Sequence, residues 1–340
     1  MSLQSELSPI RWENDRLILL DQRYLPARHD DYVCDTLEQA AQGIADLVVR
    51  GAPAIGITAA YAVFLGYRQH QRDATYDFDA ALKLLESARP TAVNLAWAVR
   101  EQKKIIQSTA DDVAMALLEN ARRIHQQDVA DNIRMGDFGA ELIDSGSRVL
   151  THCNAGALAT AGYGTALGVI RSAFAQNRLQ KVFASETRPW TQGLRLTAWE
   201  LAEDNIPVTL IIEGAASSLF ARQQIDWVIV GADRICANGD VINKIGTANL
   251  ALMARHYGVK FMVAAPTSTI DMQTTGGEQV EIENRSAQEI LGDFYSDNEK
   301  VDAWNPVFDV TDADWVSVIV TEKGVISQPN REKIEKLMDL

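Results

Sequence analysis

The chain has 340 residues and carries 32 Lys+Arg against 46 Asp+Glu, a formal net charge of −14 spread along its length. That length suits about two domains, each with its own core. The acidic surplus argues against a nucleic-acid binder, and 47% apolar with 23% charged residues argues against disorder. Cys34, Cys153 and Cys236 are too few and too scattered for a disulfide framework, and none forms a C-x-x-C pair. The N-terminal stretch lacks a basic segment leading into an apolar one, and no stretch nears the ~18 apolar residues of a membrane span. A cytoplasmic protein, neither secreted nor membrane-bound, is expected.

In chain order, Ile10 to Trp12 and Leu17 to Leu20 flank the turn-like Glu13-Asn14-Asp15 and predict a short β-hairpin. Apolar spacings of three and four then predict helices over Leu37 to Val49, Ile55 to Arg68, Phe78 to Ser87, Val93 to Ile106 and Asp111 to Leu142. Gly51, Pro53 and Pro90 punctuate them. After Ser145-Gly146-Ser147 the texture changes to short β-branched runs. Strands are predicted at Arg148 to Thr151, Lys181 to Ala184, Val208 to Ile212, Trp227 to Val230, Phe261 to Ala264 and Val316 to Val320. Their alternation with helices is the signature of βαβ units and a parallel sheet covered on both faces. The boundary between the two halves is expected near residues 125 to 147.

Ligands of open parallel sheets bind beyond the carboxyl ends of the strands. Those positions are polar here: His152-Cys153-Asn154, Glu186-Thr187-Arg188, Glu213-Gly214, Gly231-Ala232-Asp233-Arg234 and Pro266-Thr267-Ser268. The glycine-rich run Thr151 to Gly168 could cradle an anion and lower the pKa of Cys153 at a helix start, or could be a tight turn around a structural Cys. Asp233 could be a general acid/base with its pKa raised by an apolar strand end, or could cap a helix or pair with Arg234. Asn243 and Lys244 are either phosphate ligands or solvated side chains. Arg50 beside Gly51-Ala52 and Pro53, expected at the N1 position of a helix, is either a phosphate site or a surface arginine in a helix-breaking loop. The five histidines show no H-x-x-H spacing, so a metal is not expected. Gly162, Gly164 and Gly168 stand too late after Thr151 for a dinucleotide fingerprint.

As a set the motifs resemble the methylthioribose-1-phosphate isomerases of methionine salvage. RGAPAIG from Arg50, RPTAVNLAWA from Arg89, THCNAGALAT from Thr151 and ETRPWTQGLRLTAWEL from Glu186 carry the likeness. So do GADRICANGDVINKIGT from Gly231, PTSTID from Pro266, NPVFDVT from Asn305 and VTEKGVI from Val320, which together reach across nearly the whole chain. The superfamily includes regulatory subunits of translation initiation factor 2B and ribose-1,5-bisphosphate isomerases. Small departures fall at Cys236, Ile242 and Ala248-Asn249.

The resemblance implies an α/β protein: a mostly helical N-terminal domain (1–125) with a short β-hairpin, a connecting helix (126–146) and a Rossmann-like catalytic domain (147–340). It implies a homodimer with no cofactor and no metal, whose partner is a small sugar phosphate rather than nucleic acid or membrane. Cys153 and Asp233 would be the catalytic pair, and Arg50, Gly51, Ala52, Arg89, Gln192, Asn243 and Lys244 the substrate contacts. The implied reaction turns 5-methylthioribose 1-phosphate into 5-methylthioribulose 1-phosphate. Alternatives are an isomerase of another 1-phosphorylated pentose, such as ribose 1,5-bisphosphate or 5-deoxyribose 1-phosphate, or a non-catalytic sugar-phosphate-binding subunit. An NAD-dependent oxidoreductase is a more distant alternative.

Overall fold

Asn14 and Asp15 reverse the chain with φ of 50° and 61°, the left-handed pair that a two-residue hairpin turn requires and that Asn and Asp tolerate. They join β1 (Ile10–Glu13) to β2 (Arg16–Leu20), and β3 (Asp31–Cys34) adds to β2, so the expected hairpin is a three-stranded antiparallel sheet. The computed structural model describes residues 7–89, 93–108, 111–295 and 300–339; the N-terminal stretch through residue 6 and Pro90, read above as a helix breaker, lie outside them.

Five helices follow. α1 (Leu37–Ala45) opens with a capping box between Thr36 and Gln39 and stops short of the expected Val49, where Leu47 turns left-handed at φ 63°. α2 (Ala52–Arg72) begins before the expected Ile55, with Gly51 as its N-cap and Pro53 second in the helix. It is apolar nearly all round and becomes the buried axis of the N-terminal core, packed by α1, α3 (Phe78–Ser87), α4 (Val93–Ile106) and α5 (Val113–Glu141). α5 buries Leu117, Ala121 and Ile124 in that core, then lays Met135, Gly136, Gly139 and Ala140 toward the second half.

That half alternates β4 (Ser147–Thr151), α6 (Ala166–Ala175), β5 (Leu179–Ser185), α7 (Ala198–Glu203), β6 (Val208–Ile211), α8 (Ala216–Ala221) and β7 (Trp227–Val230). A β8 (Arg234–Cys236) and β9 (Val241–Lys244) hairpin leads to α9 (Thr247–Tyr257), β10 (Lys260–Ala264) and β11 (Ile270–Asp271). α10 (Gln288–Leu291), β12 (Phe308–Thr311), β13 (Val318–Thr321), β14 (Gly324–Ser327) and α11 (Arg331–Met338) complete the order. The main sheet runs β14-β13-β10-β7-β4-β5-β6, parallel except for β14. Each of the six predicted strands is present within two residues of its expected ends, and β3, the small sheet β11-β8-β9-β12 and β14 were not foreseen. They are short, four residues or fewer, and their runs mix polar with apolar side chains, so periodicity says little about them.

From β4 the chain builds outward through β5 and β6 on one side and through β7, β10 and β13 on the other. The switch point therefore lies between β4 and β7, and an open α/β sheet binds ligands in the crevice beyond those two carboxyl ends. Cys153 follows one and Asp233 the other.

Gly136 lets α5 and α6 touch. A Cβ there would stand 2.9 Å from each of the Gly168 carbonyl oxygen, Ser172 Oγ and Tyr163 Cε1. Helix propensity alone favours Gly136→Ala by ~1 kcal/mol, but overpacking a filled contact costs roughly 1–3 kcal/mol, so the expected net result is a lower Tm. A thermal melt showing G136A equal to or above the parent would overturn this account of the helix pair.

Candidate active site

The loop after β4 is bent by Cys153 at φ 60°, with its backbone N–H donating to Thr187 Oγ1 at 3.0 Å. His152, buried beside it, joins two elements: Nε2–H donates to the Ile245 carbonyl at 2.8 Å, which leaves Nδ1 to accept from Ser185 Oγ at 2.6 Å. Burial pushes the His152 pKa down to about 4, so the ring is neutral and its tautomer follows from the carbonyl. Beyond β7, the Asp233 N–H donates to the Ile242 carbonyl at 2.9 Å, which pins the loop to β9. Asp233 neither caps a helix nor pairs with Arg234, whose partner is Asp271 at 3.6 Å.

One cleft of about 1110 Å³, its open mouth included, gathers all nine residues singled out in the sequence: Cys153, Asp233, Arg50, Gly51, Ala52, Arg89, Gln192, Asn243 and Lys244. The start of α2 closes its helical side. Gly51 has φ 91°, and a Cβ there would sit 2.5 Å from that of Ala159, so only glycine lets α2 approach the β4 loop so nearly. Asn243 and Lys244 enter from the end of β9, where Asn243 donates to Thr247 Oγ1 at 3.0 Å and the Lys244 ammonium lies 4.9 Å from the Phe308 ring centroid.

The glycine-rich turn does not cradle the cleft. Ala155, Ala159, Thr160 and Thr165 reach its wall, whereas Gly156, Gly162, Gly164 and Gly168 do not. The amides of Thr165 and Leu167 at the start of α6 are already taken by the Ala155 carbonyl. Gly164, at φ 82°, instead lets the turn fold directly onto Gly156.

Six cations line the cleft, and they divide by partner. Arg23 is held by Asp21, Arg285 by Glu289, and the Arg195 fork by the carbonyls of Gln22, Arg23 and Leu25. Arg50 donates only to the two oxygens of Asn154. Among the described residues, nine buried side-chain polar atoms lack a hydrogen-bond partner, and five of their residues face this cleft: Gln22, Arg50, Arg89, Trp190 and Gln192. Arg89 Nη1 and Arg50 Nε are buried donors without acceptors, a chemistry that suits the oxygens of a ligand.

Burial raises the Asp233 carboxyl above the ordinary carboxylate range, against the pull of Lys244, Arg89 and Arg50. Burial likewise raises the Cys153 thiol, against Lys244 and Arg50. The sequence had suggested a lowered thiol pKa at a helix start. The thiol instead sits in a half-buried bend well before α6, where desolvation outweighs the cations. Both groups are thus held toward their neutral forms. Sequence reasoning missed Trp190, Arg195, Arg285 and Gln22; Trp190 and Arg195 lie inside a motif it quoted, but Gln22 and Arg285 sit in irregular loops that carry no pattern. Among the described residues no three His, Cys, Asp or Glu side chains are grouped to hold a metal, and no helix is long and apolar enough to cross a membrane.

Residues 48–328 match the initiation factor 2 subunit family. Methylthioribose-1-phosphate isomerases of Thioalkalivibrio sulfidiphilus and Xanthomonas oryzae pv. oryzae are 54% and 52% identical, each over 97% of this chain and 96% or 95% of their own length. The crystal structure of 5-methylthioribose 1-phosphate isomerase from Pyrococcus horikoshii OT3 superposes with a TM-score of 0.90 at 37% identity, covering 99% of this chain and 97% of that one. The crystal structure of translation initiation factor eIF-2B, subunit delta, from A. fulgidus superposes with a TM-score of 0.83 at 39% identity, covering 98% of this chain and 100% of that one.

The unfolded His152 ring takes up a proton near 6.5 and the folded ring only near about 4. Between these values the unfolded state binds more protons, so this residue's share of stability falls as pH drops through that window. Imidazole ¹⁵N spectra at pH 5.5 should show His152 as the neutral Nε2–H tautomer; an imidazolium signal there would contradict the burial argument.

Proposed function

The chain belongs to the initiation factor 2 subunit family, and we propose that it is an aldose–ketose isomerase converting 5-methylthioribose 1-phosphate into 5-methylthioribulose 1-phosphate in methionine salvage. Cys153 and Asp233 follow two neighbouring strands and face one cleft with the unpartnered donors of Arg50 and Arg89 and the ammonium of Lys244, and that convergence is the observation that supports the assignment most directly. We assign Cys153 and Asp233 as the catalytic pair and Arg50, Gly51, Ala52, Arg89, Gln192, Asn243 and Lys244 as substrate contacts.

The phosphate on C1 blocks the spontaneous ring opening of a free sugar, so the enzyme must break the bond from C1 to the ring oxygen while keeping the phosphate. A protonated Asp233 suits this step: burial raises its pKa and so favours the protonated form, and that proton passes to the departing ring oxygen. C1 is left electron-poor. A hydrogen then moves from C2 to C1 with its electron pair, the C2 hydroxyl becomes the carbonyl, and its released proton restores the Asp233 carboxyl. Substrate and product are isomers, so no external oxidant, reductant or redox cofactor enters the balance. A thiol held protonated serves poorly as a base at C2, and Cys153 is better placed to stabilise charge at C1 and C2.

The lining also bears on the substrate. Arg23, Arg195 and Arg285 are already occupied by protein oxygens, while Leu47, Trp190, Leu196, Val307 and Phe308 offer apolar wall. One phosphate and an apolar substituent match this division better than two phosphates do. We further propose the division into a helical domain (1–125), a connecting helix (126–146) and a catalytic domain (147–340), with one continuous helix, α5, spanning the first boundary. A cytoplasmic homodimer completes the reading; three free cysteines accord with a reducing compartment, and the family resemblance is the basis for the dimer.

Cys153→Ala and Asp233→Asn should each lower kcat by at least ~10²-fold with little change in KM, the scale of acid/base groups. In the parent, kcat/KM should fall on the alkaline side as the raised Asp233 carboxyl loses its proton, and wild-type turnover by either variant sinks the pairing. For the route at C2, the reaction run in D₂O should leave product C1 nearly free of deuterium by NMR. Substantial incorporation in the first turnover would replace the hydride shift with an enediolate and leave the isomerase assignment standing.

A further inference from the structure

We propose that Glu200 is a positioning residue for this reaction: a fully buried carboxylate outside the cleft that sets the aim of Arg50 through the Asn154 amide. The inference rests on the reading of Arg50 as a phosphate ligand.

Glu200 is 0% exposed, on α7, and does not line the cleft. Its Oε1 accepts from Asn154 Nδ2, and its Oε2 accepts from the Ala157 N–H at 2.8 Å and from Arg171 Nη2 at 3.1 Å. A side-chain amide has one donor end and one acceptor end, so holding Nδ2 toward Glu200 turns Oδ1 the other way. That oxygen, together with the Asn154 backbone carbonyl at 2.9 Å, receives the two terminal nitrogens of Arg50. The Arg50 fork is thereby fixed in the cleft with Nε left for a ligand.

The same arrangement reaches Cys153. Thr197 Oγ1 accepts from Asn154 Nδ2 at 3.1 Å and donates to the Cys153 carbonyl at 2.6 Å. Gly156 packs so tightly on the Glu200 carboxylate that a Cβ there would overlap it, so the loop carrying Cys153 and Asn154 is moulded onto this one side chain. Behind it, Arg171 and Asp204 complete the charge balance: Arg171 is 0% exposed and ion-paired to both acids. With one cation against two anions, the cluster leaves a negative charge that Arg50 offsets across the Asn154 amide, and the attraction of Glu200 is among the influences that sustain the Arg50 charge against burial.

In Glu200→Gln a donor must replace one of two accepting oxygens. Turned toward Asn154, it flips that amide and presents an N–H to Arg50. The expected result is a KM raised roughly tenfold or more with kcat changed by less than about threefold, because phosphate neutralisation is common to ground and transition states. A double-mutant cycle with Arg50→Ala separates this from general destabilisation. R50A alone should raise KM, and E200Q added to R50A should raise it by no more than about twofold further.

Where E200Q yields no folded protein, Asn154→Ala, which leaves the Arg171 ion pairs intact, takes its place in the same cycle. Full additivity in KM, or a loss confined to kcat, overturns the role of Glu200 while leaving Arg50 as a ligand. An R50A variant with unchanged KM overturns the ligand reading itself, and this inference with it.

Discussion

A guanidinium taken out of water must be held by oxygens, and a guanidinium meant for a ligand must not be cancelled by them. Arg50 meets both conditions by donating to two neutral oxygens of one residue, Asn154, across 104 positions of sequence. Arg171 shows the contrast. It is equally cationic, but its fork meets Glu200 and Asp204, its charge is spent, and it serves as structure. The Arg50 contact also joins the halves of the molecule. It works only because Gly51 lets α2 come down on Ala159, which places the helical half as the roof of a crevice that the sheet topology opens between β4 and β7.

This arrangement explains how a chain with a net charge of −14 can serve an anionic substrate. Net charge governs the far field, whereas a walled cleft focuses the field of the few charges that line it. Asp21 and Glu289 hold two of the lining cations, Arg23 and Arg285, and the carbonyls after β2 hold Arg195, so the charge of those side chains is already engaged by protein oxygens. The three with donors or charge to spare stand on three different elements: before α2, after α3 and at the end of β9.

Much of this was legible from the residues, and the reasons differ by element. Buried parallel strands such as Trp227–Val230 announce themselves as unbroken apolar runs, and the polar residues just after them lie where the fold puts ligands. The small sheet was not legible, because β8 and β9 are defined by pairing with each other across Ala237–Asp240 rather than by any pattern within them. The glycines after β4 were visible but misleading. They permit close backbone approach, Gly164 onto Gly156 and Gly156 onto Glu200, and not anion contact. The direction of the Cys153 shift could not be read either, since it depends on whether desolvation or the charges of Arg50 and Lys244 prevail, and only the packed cavity decides that.

The balance at Asp233 carries the last step. Burial pushes its proton affinity up while Lys244, Arg89 and Arg50 pull it down. A phosphate bound among those cations brings negative charge to the same space, and its attraction for them offsets the pull they exert on the carboxylate. On the proposed assignment substrate therefore reinforces burial: the carboxyl proposed to donate to the ring oxygen would hold its proton more firmly once the phosphate has arrived than before. A cleft with many unpaired cations and no such offset would strip Asp233 of its proton, and one with none would not bind the phosphate. The pairing of Arg23, Arg195 and Arg285 with protein oxygens, beside the spare capacity of Arg50, Arg89 and Lys244, is the composition that satisfies both demands.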